Sequence, residues 1–108
     1  MTVGELCKTT GFAEVVCPDP EREITGAYIG DLLSWVMGRA PADSAWITIM
    51  SNVNVIAVAT LADTACIVLA EGVTLEDDVK KTAEDKGINV LNSSLGAYEI
   101  ALKLGELI

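Results

Sequence analysis

The sequence predicts an α/β sandwich, a mainly parallel sheet with helices on both faces. Two observations lead there. From residue 24 onward, segments of strand character alternate strictly with segments of helical character. Each helix in that series starts just after a strand, on glycine or short polar side chains, and right-handed crossovers then make the strands parallel neighbours. With 108 residues, the chain has room for one core, so residues 1–108 read as a single domain.

The elements follow in order. Thr2-x-x-Glu5 is a capping box, so a helix runs from Val3 to about Thr10 and stops at Gly11. Ala13 to Cys17 is a short strand, and the two prolines in Pro18-Asp19-Pro20 open a polar loop because neither can donate to a ladder. Ile24 to Ile29 is apolar and β-branched, the second strand. Gly30-Asp31 then caps a helix whose stripe is Leu32, Leu33, Val36 and Met37, with Trp35 off the stripe and Gly38 at the stop. Ala45 to Met50 is the clearest strand, and Ser51 to Asn54 starts the next helix. Val55 to Ala62 is apolar on all sides, which predicts burial between layers. Ala65 to Ala70 reads as a buried strand. Thr74 with Asp77 marks the cap of a further helix, Glu76-Lys80 and Asp77-Lys81 are i,i+4 pairs, and Gly87 ends it. Only Leu75, Val79 and Ala83 face inward there. Ile88 to Leu91 is the last strand, Asn92-Ser93-Ser94 a polar cap, and Leu95 to about Leu107 the closing helix.

Charge and composition narrow the function. Sixteen acidic residues against seven basic ones give a net charge of −9, which argues against nucleic acid and against an anionic membrane surface, since both are held by Lys and Arg. The chain has no histidine, which removes the common general base and most zinc arrangements. Its three cysteines, Cys7, Cys17 and Cys66, form no C-x-x-C pair and read as buried thiols of a reducing cytoplasm. The first residues carry no export signal. Val53 to Ala70 approaches the length of a membrane span, but Asn54, Thr60, Asp63 and Thr64 interrupt it and no Lys or Arg flanks it. No membrane, metal or cofactor is expected, and no catalytic residue is nominated.

Two sets of residues are candidates for function. In an open α/β sheet the crevice lies beyond the carboxyl ends of the strands, where helix N-termini point their free N–H groups. Gly30, Asp31, Ser51, Asn52, Asn54, Glu71, Gly72, Asn92, Ser93 and Ser94 fall there, as a ligand rim or simply as caps and turns. No basic residue and no glycine-rich phosphate loop joins them, so a nucleotide site is weak on the residues alone. The second set concerns contact. On the closing helix Leu95, Tyr98, Leu102 and Gly105 share one face and Ile100, Leu104, Leu107 and Ile108 another, one more than a sheet needs. The surplus packs either deeper in the core or against another molecule. Trp35, Ile100, Leu104, Leu107 and Ile108 are the candidate interface.

These segments resemble the short stand-alone members of the DRTGG domain family over nearly the whole length. The likeness rests on Tyr28 to Gly38, Ala45 to Thr48, Asn52 to Ala59 and Ala65 to Gly72, the stretch from Gly30 to Gly38 being the most specific. In the family an Asp-Arg pair starts a helix and Thr-Gly-Gly follows the next strand. Asn52-Val53-Asn54 and Ala70-Glu71-Gly72 occupy those places, so Gly72 alone keeps the naming letters. The resemblance implies a domain similar to the N-terminal domain of HPr kinase/phosphorylase, and a regulatory or dimerising module without chemistry of its own. It also implies a genomic association with iron hydrogenase and NADH-dehydrogenase-like subunits of anaerobic bacteria. The expectation is therefore a non-catalytic regulatory or protein-interaction module, a homodimer working through a partner enzyme of energy or redox metabolism. The alternative is a sensor of an adenine nucleotide or other small anion at the rim.

Overall fold

The computed structural model describes all 108 residues as α1 (Val3–Thr10), β1 (Ala13–Val16), β2 (Gly26–Ile29), α2 (Leu33–Arg39), β3 (Ser44–Thr48), α3 (Val53–Ala62), β4 (Cys66–Leu69), α4 (Asp77–Lys86), β5 (Val90–Asn92) and α5 (Ala97–Leu107). The spatial strand order is β1-β5-β4-β3-β2. β2 to β5 are parallel neighbours in sequence order, and β1 closes the far edge antiparallel to β5. The sheet is thus mixed but mainly parallel.

Three consecutive crossovers step in one direction, so right-handedness puts α2, α3 and α4 on the same face. Trp46, Ile67, Leu69 and Val90 point into that layer, against Val36, Val55, Ile56, Val79 and Ala83. On the opposite face Ala45, Ile47, Cys66, Val68 and Leu91 meet Val3 and Leu6 of α1 and Ile100 and Leu104 of α5. The strand alternation sends every second side chain to each layer.

The N-terminal capping box forms as predicted: the Thr2 hydroxyl accepts from the Glu5 N–H at 3.1 Å, and the Glu5 carboxylate accepts from the Thr2 N–H at 2.9 Å. The Thr2 N–H, with help from the Thr2 hydroxyl, holds the Glu5 carboxyl below the usual range. Asp63 and Gly87, both with left-handed backbone, stop α3 and α4. Because α3 ends at Asp63 and β4 starts at Cys66, the apolar run from 53 to 70 is split, and no helix is long and apolar enough to cross a membrane.

Several boundaries differ from the sequence reading. Ile24 and Thr25 precede β2, because their N–H groups donate to Met1 and Asp43 carbonyls rather than to β3. α4 starts at Asp77, with Glu76 at its cap and no side-chain bond there, because Leu75 is buried and holds the chain extended ahead of the helix. Its ion pairs are Lys80–Asp77 at 3.9 Å and Lys81–Asp85 at 3.2 Å instead of the two predicted from spacing. The largest difference is at α3. Val55, Ile56, Val58, Ala59 and Ala62 are buried, but Val53, Ala57 and Leu61 are exposed, since nothing covers α3 on its outer side.

The edge opposite the rim is closed by Arg22. Its guanidinium donates to Asp43 Oδ1 at 2.7 and 3.1 Å and to Asp63 Oδ1 and the Asp63 carbonyl at 3.0 and 2.9 Å. Both aspartates have positive φ, 65° and 57°, in the turns that lead into β3 and β4.

Candidate functional site

Parallel pairing brings the carboxyl ends of β2, β3, β4 and β5 to one edge of the sheet. All the predicted rim residues lie along it, in the spatial order Asn92-Ser93-Ser94, Glu71-Gly72, Ser51-Asn52-Asn54, Gly30-Asp31. The rim is knit to itself. Glu71 N–H donates to the Leu95 carbonyl and Gly72 N–H to the Ser93 carbonyl, each at 2.8 Å. Two successive positive φ values, 60° at Glu71 and 74° at Gly72, turn both groups toward that loop. The Asn92 side chain donates to the Val73 carbonyl at 3.2 Å, and Ser93 Oγ accepts from the Leu95 N–H at 3.1 Å. Asn52 caps α3 by accepting from the Asn54 N–H at 2.9 Å.

Asp31 does something the sequence did not indicate. The sequence places it at the cap of α2, yet the cap is Leu32, which makes no side-chain bond. Asp31 Oδ1 instead accepts from Thr48 Oγ1 at 2.7 Å and from the Ile49 N–H at 3.1 Å, tying the loop after β2 to the end of β3. Thr48 is almost wholly buried, so Asp31→Ala leaves its hydroxyl proton without an acceptor, although the oxygen still accepts from the Met50 N–H. The substitution is expected to lower stability by about 1–3 kcal/mol in urea unfolding.

The rim holds two carboxylates, Asp31 and Glu71, and no Lys or Arg. Positive potential there comes from helix N-termini, those of α2, α3 and α5. Both depressions in the surface lie elsewhere. One, of about 400 Å³, runs between α3 and α4, and Asn54 is the one rim residue that borders it. The other, of about 310 Å³, lies beside α1 between Thr2, Glu5 and Lys8 on one side and Glu14, Pro20 and Glu21 on the other.

A family model for the DRTGG domain matches residues 13–107. The chain belongs to the DRTGG domain family. No curated protein matches it. Among solved structures, this DRTGG domain is similar to the CBS and DRTGG domains of the regulatory region of Clostridium perfringens pyrophosphatase, complexed with the activator diadenosine tetraphosphate. The TM-score is 0.72 at 9% identity, over 95% of this chain and 45% of that one. The likeness is one of fold, and the present chain spans less than half of that regulatory region.

Asn52-Val53-Asn54 at the start of α3 and Ala70-Glu71-Gly72 after β4 lie side by side on the rim. The surroundings of all three cysteines disfavour the thiolate. Burial pushes Cys7 up to about 11, with Glu14 adding to it, and pushes Cys17 and the fully buried Cys66 up as well.

The candidate interface is redistributed. Ile100 and Leu104 are fully buried in the α1/α5 layer, and Leu107 packs against the same cluster, so these three belong to the core. The spare face of α5 is the other one, where Tyr98 is 74% and Leu102 50% exposed. Spacing alone shows two apolar faces without saying which one meets the sheet. Ile108 stays exposed at the chain end, and Trp35 stays exposed on α2 with the Arg39 guanidinium stacked 3.8 Å above its ring.

Proposed function

We propose that this DRTGG domain is a non-catalytic regulatory or protein-interaction module that self-associates and acts through a partner protein. The observation that carries the reading is the placement of its exposed apolar side chains. Seven of the ten large exposed ones sit at three helices, with Leu32, Trp35 and Met37 at α2, Val53 and Leu61 on α3, and Tyr98 and Leu102 on α5, while Ile29 and Ile49 lie at the ends of β2 and β3 and Ile108 follows α5. Apolar patches repeated on several helices are contact surface, whereas scattered single residues need no explanation. The disfavoured thiolates and the lack of histidine support a non-catalytic reading. The partner we propose is an enzyme of energy or redox metabolism, on the family resemblance, with the outer face of α5 as its contact.

Self-association makes thermal stability depend on protein concentration, because only the folded chain associates. The midpoint of unfolding is expected to rise steadily between 1 and 100 µM protein. A midpoint that stays fixed over that range overturns the self-associating part of the proposal.

One observation favours a second reading, a sensor of an adenine nucleotide or other anion at the rim: the similar pyrophosphatase region is complexed with diadenosine tetraphosphate. Diadenosine tetraphosphate at 100 times its dissociation constant adds about 2.7 kcal/mol to stability. The interaction reading predicts no thermal shift with this compound or with ATP, ADP or AMP at millimolar concentration. A saturable shift establishes the sensor instead.

A further inference from the structure

β2 is an edge strand, paired with β3 on one side and with no strand on the other. The Gly30 N–H donates to the Ile47 carbonyl at 3.2 Å while Ile29 stands opposite Ile47, which fixes the alternation of the parallel ladder. Gly26 and Tyr28 turn their backbone groups toward β3. Ala27 and Ile29 turn theirs outward, where no other element pairs with them. The side chains at this edge are equally open. Ala27 and Ile29 lie in register with Ala45 and Ile47, on the face that α1 and α5 cover. Ala45 and Ile47 are wholly buried, yet Ala27 is exposed and Ile29 is 53% exposed, so the helix layer stops short of β2 and leaves an apolar shelf one strand wide.

Open edges are ordinarily blunted by charge, by a bulge or by proline. β1, at the other edge of the sheet, has all three: Glu14 is exposed, the register shifts between Glu14 and Val16, and Pro18 follows. β2, Gly26-Ala27-Tyr28-Ile29, has none of them.

We propose that the outer edge of β2 receives an extended segment of a partner protein as an additional strand. The inference rests on the protein-interaction reading above and names the form the partner takes. Outward N–H and C=O groups at every second residue are satisfied in series by another extended backbone, and the apolar shelf takes its alternate side chains. The chain makes such a pair itself just ahead of β2. Thr2 lies antiparallel to Glu23, with the Val3 N–H donating to the Arg22 carbonyl at 3.0 Å and the Ile24 N–H to the Met1 carbonyl at 2.9 Å. That pairing ends before β2 begins. Charge decides the kind of segment. Glu21 and Glu23 precede β2 and Asp31 follows it, all exposed, so the segment that fits is apolar at alternate positions and carries Lys or Arg at its ends. A second copy fits less well, because it brings the same acidic flanks and a charge of −9 to the edge.

A displayed library of random linear peptides, selected on the wild-type domain, tests this. The expected binders alternate apolar residues between basic ends, and their binding is lost with Ala27→Pro, which removes an outward N–H that the fold does not use. Circular dichroism checks that this variant folds. In wild type, with no substitution at all, a bound peptide is expected to slow hydrogen exchange at the Ala27 and Ile29 amides. Peptides that leave both amides unprotected and bind Ala27→Pro as well as wild type overturn the edge assignment. If the same peptides are lost with Leu102→Glu, the contact lies on α5 and the interaction reading stands. Protection of the two amides that grows with protein concentration in the absence of peptide gives the edge to a second copy and overturns the proposal too, as does a library that yields no binder.

Discussion

Trp46→Ala is expected to lower the stability of the domain by about 3–5 kcal/mol, the usual loss for a fully buried aromatic ring. Trp46 is 0% exposed at the centre of β3, and its indole N–H donates to the Gly30 carbonyl at 2.8 Å. The ring therefore fills the α2/α3/α4 layer and fixes the end of β2 at the rim. For a domain with about 5–15 kcal/mol in total, that loss is a large share of the folded state. Trp46→Phe separates the two contributions: it keeps most of the volume but leaves the Gly30 carbonyl without its donor, and is expected to cost about 1–3 kcal/mol. Urea unfolding of the three proteins measures both. A loss below 1 kcal/mol for Trp46→Ala contradicts the placement of the ring.

The second large effect lies on α5 and distinguishes its two apolar faces. Leu104→Ala empties a fully buried position and is expected to cost about 2–5 kcal/mol. Tyr98→Ala, six residues earlier on the exposed face, is expected to change stability by no more than about 0.5 kcal/mol. Both are measured by urea unfolding below 1 µM, where association does not contribute. Equal losses contradict the orientation of the helix.

Much of the fold is legible in the sequence because its signals are local. The capping box at Thr2 and Glu5, the glycine stops at Gly11 and Gly87, and the strand-helix alternation after residue 24 each rest on neighbours a few residues apart. The rim is legible for the same reason: once the strands are parallel, every segment that follows one must share an edge. What the sequence withholds is set by distant contacts. Asp31 looks like a helix cap, and only the register of β2 against β3 brings Thr48 and Ile49 to its carboxylate. α5 carries apolar residues on two faces, and the choice between Ile100 with Leu104 and Tyr98 with Leu102 depends on where the sheet lies. α3 reads as wholly buried because it lacks charge, yet its outer side faces solvent in the single chain.

Light scattering coupled to size exclusion tests the central claim most directly. At tens of micromolar the wild-type chain is expected to elute with twice its 11.4 kDa mass, relaxing toward 11.4 kDa on dilution. A mass that stays at 11.4 kDa up to 100 µM contradicts the account.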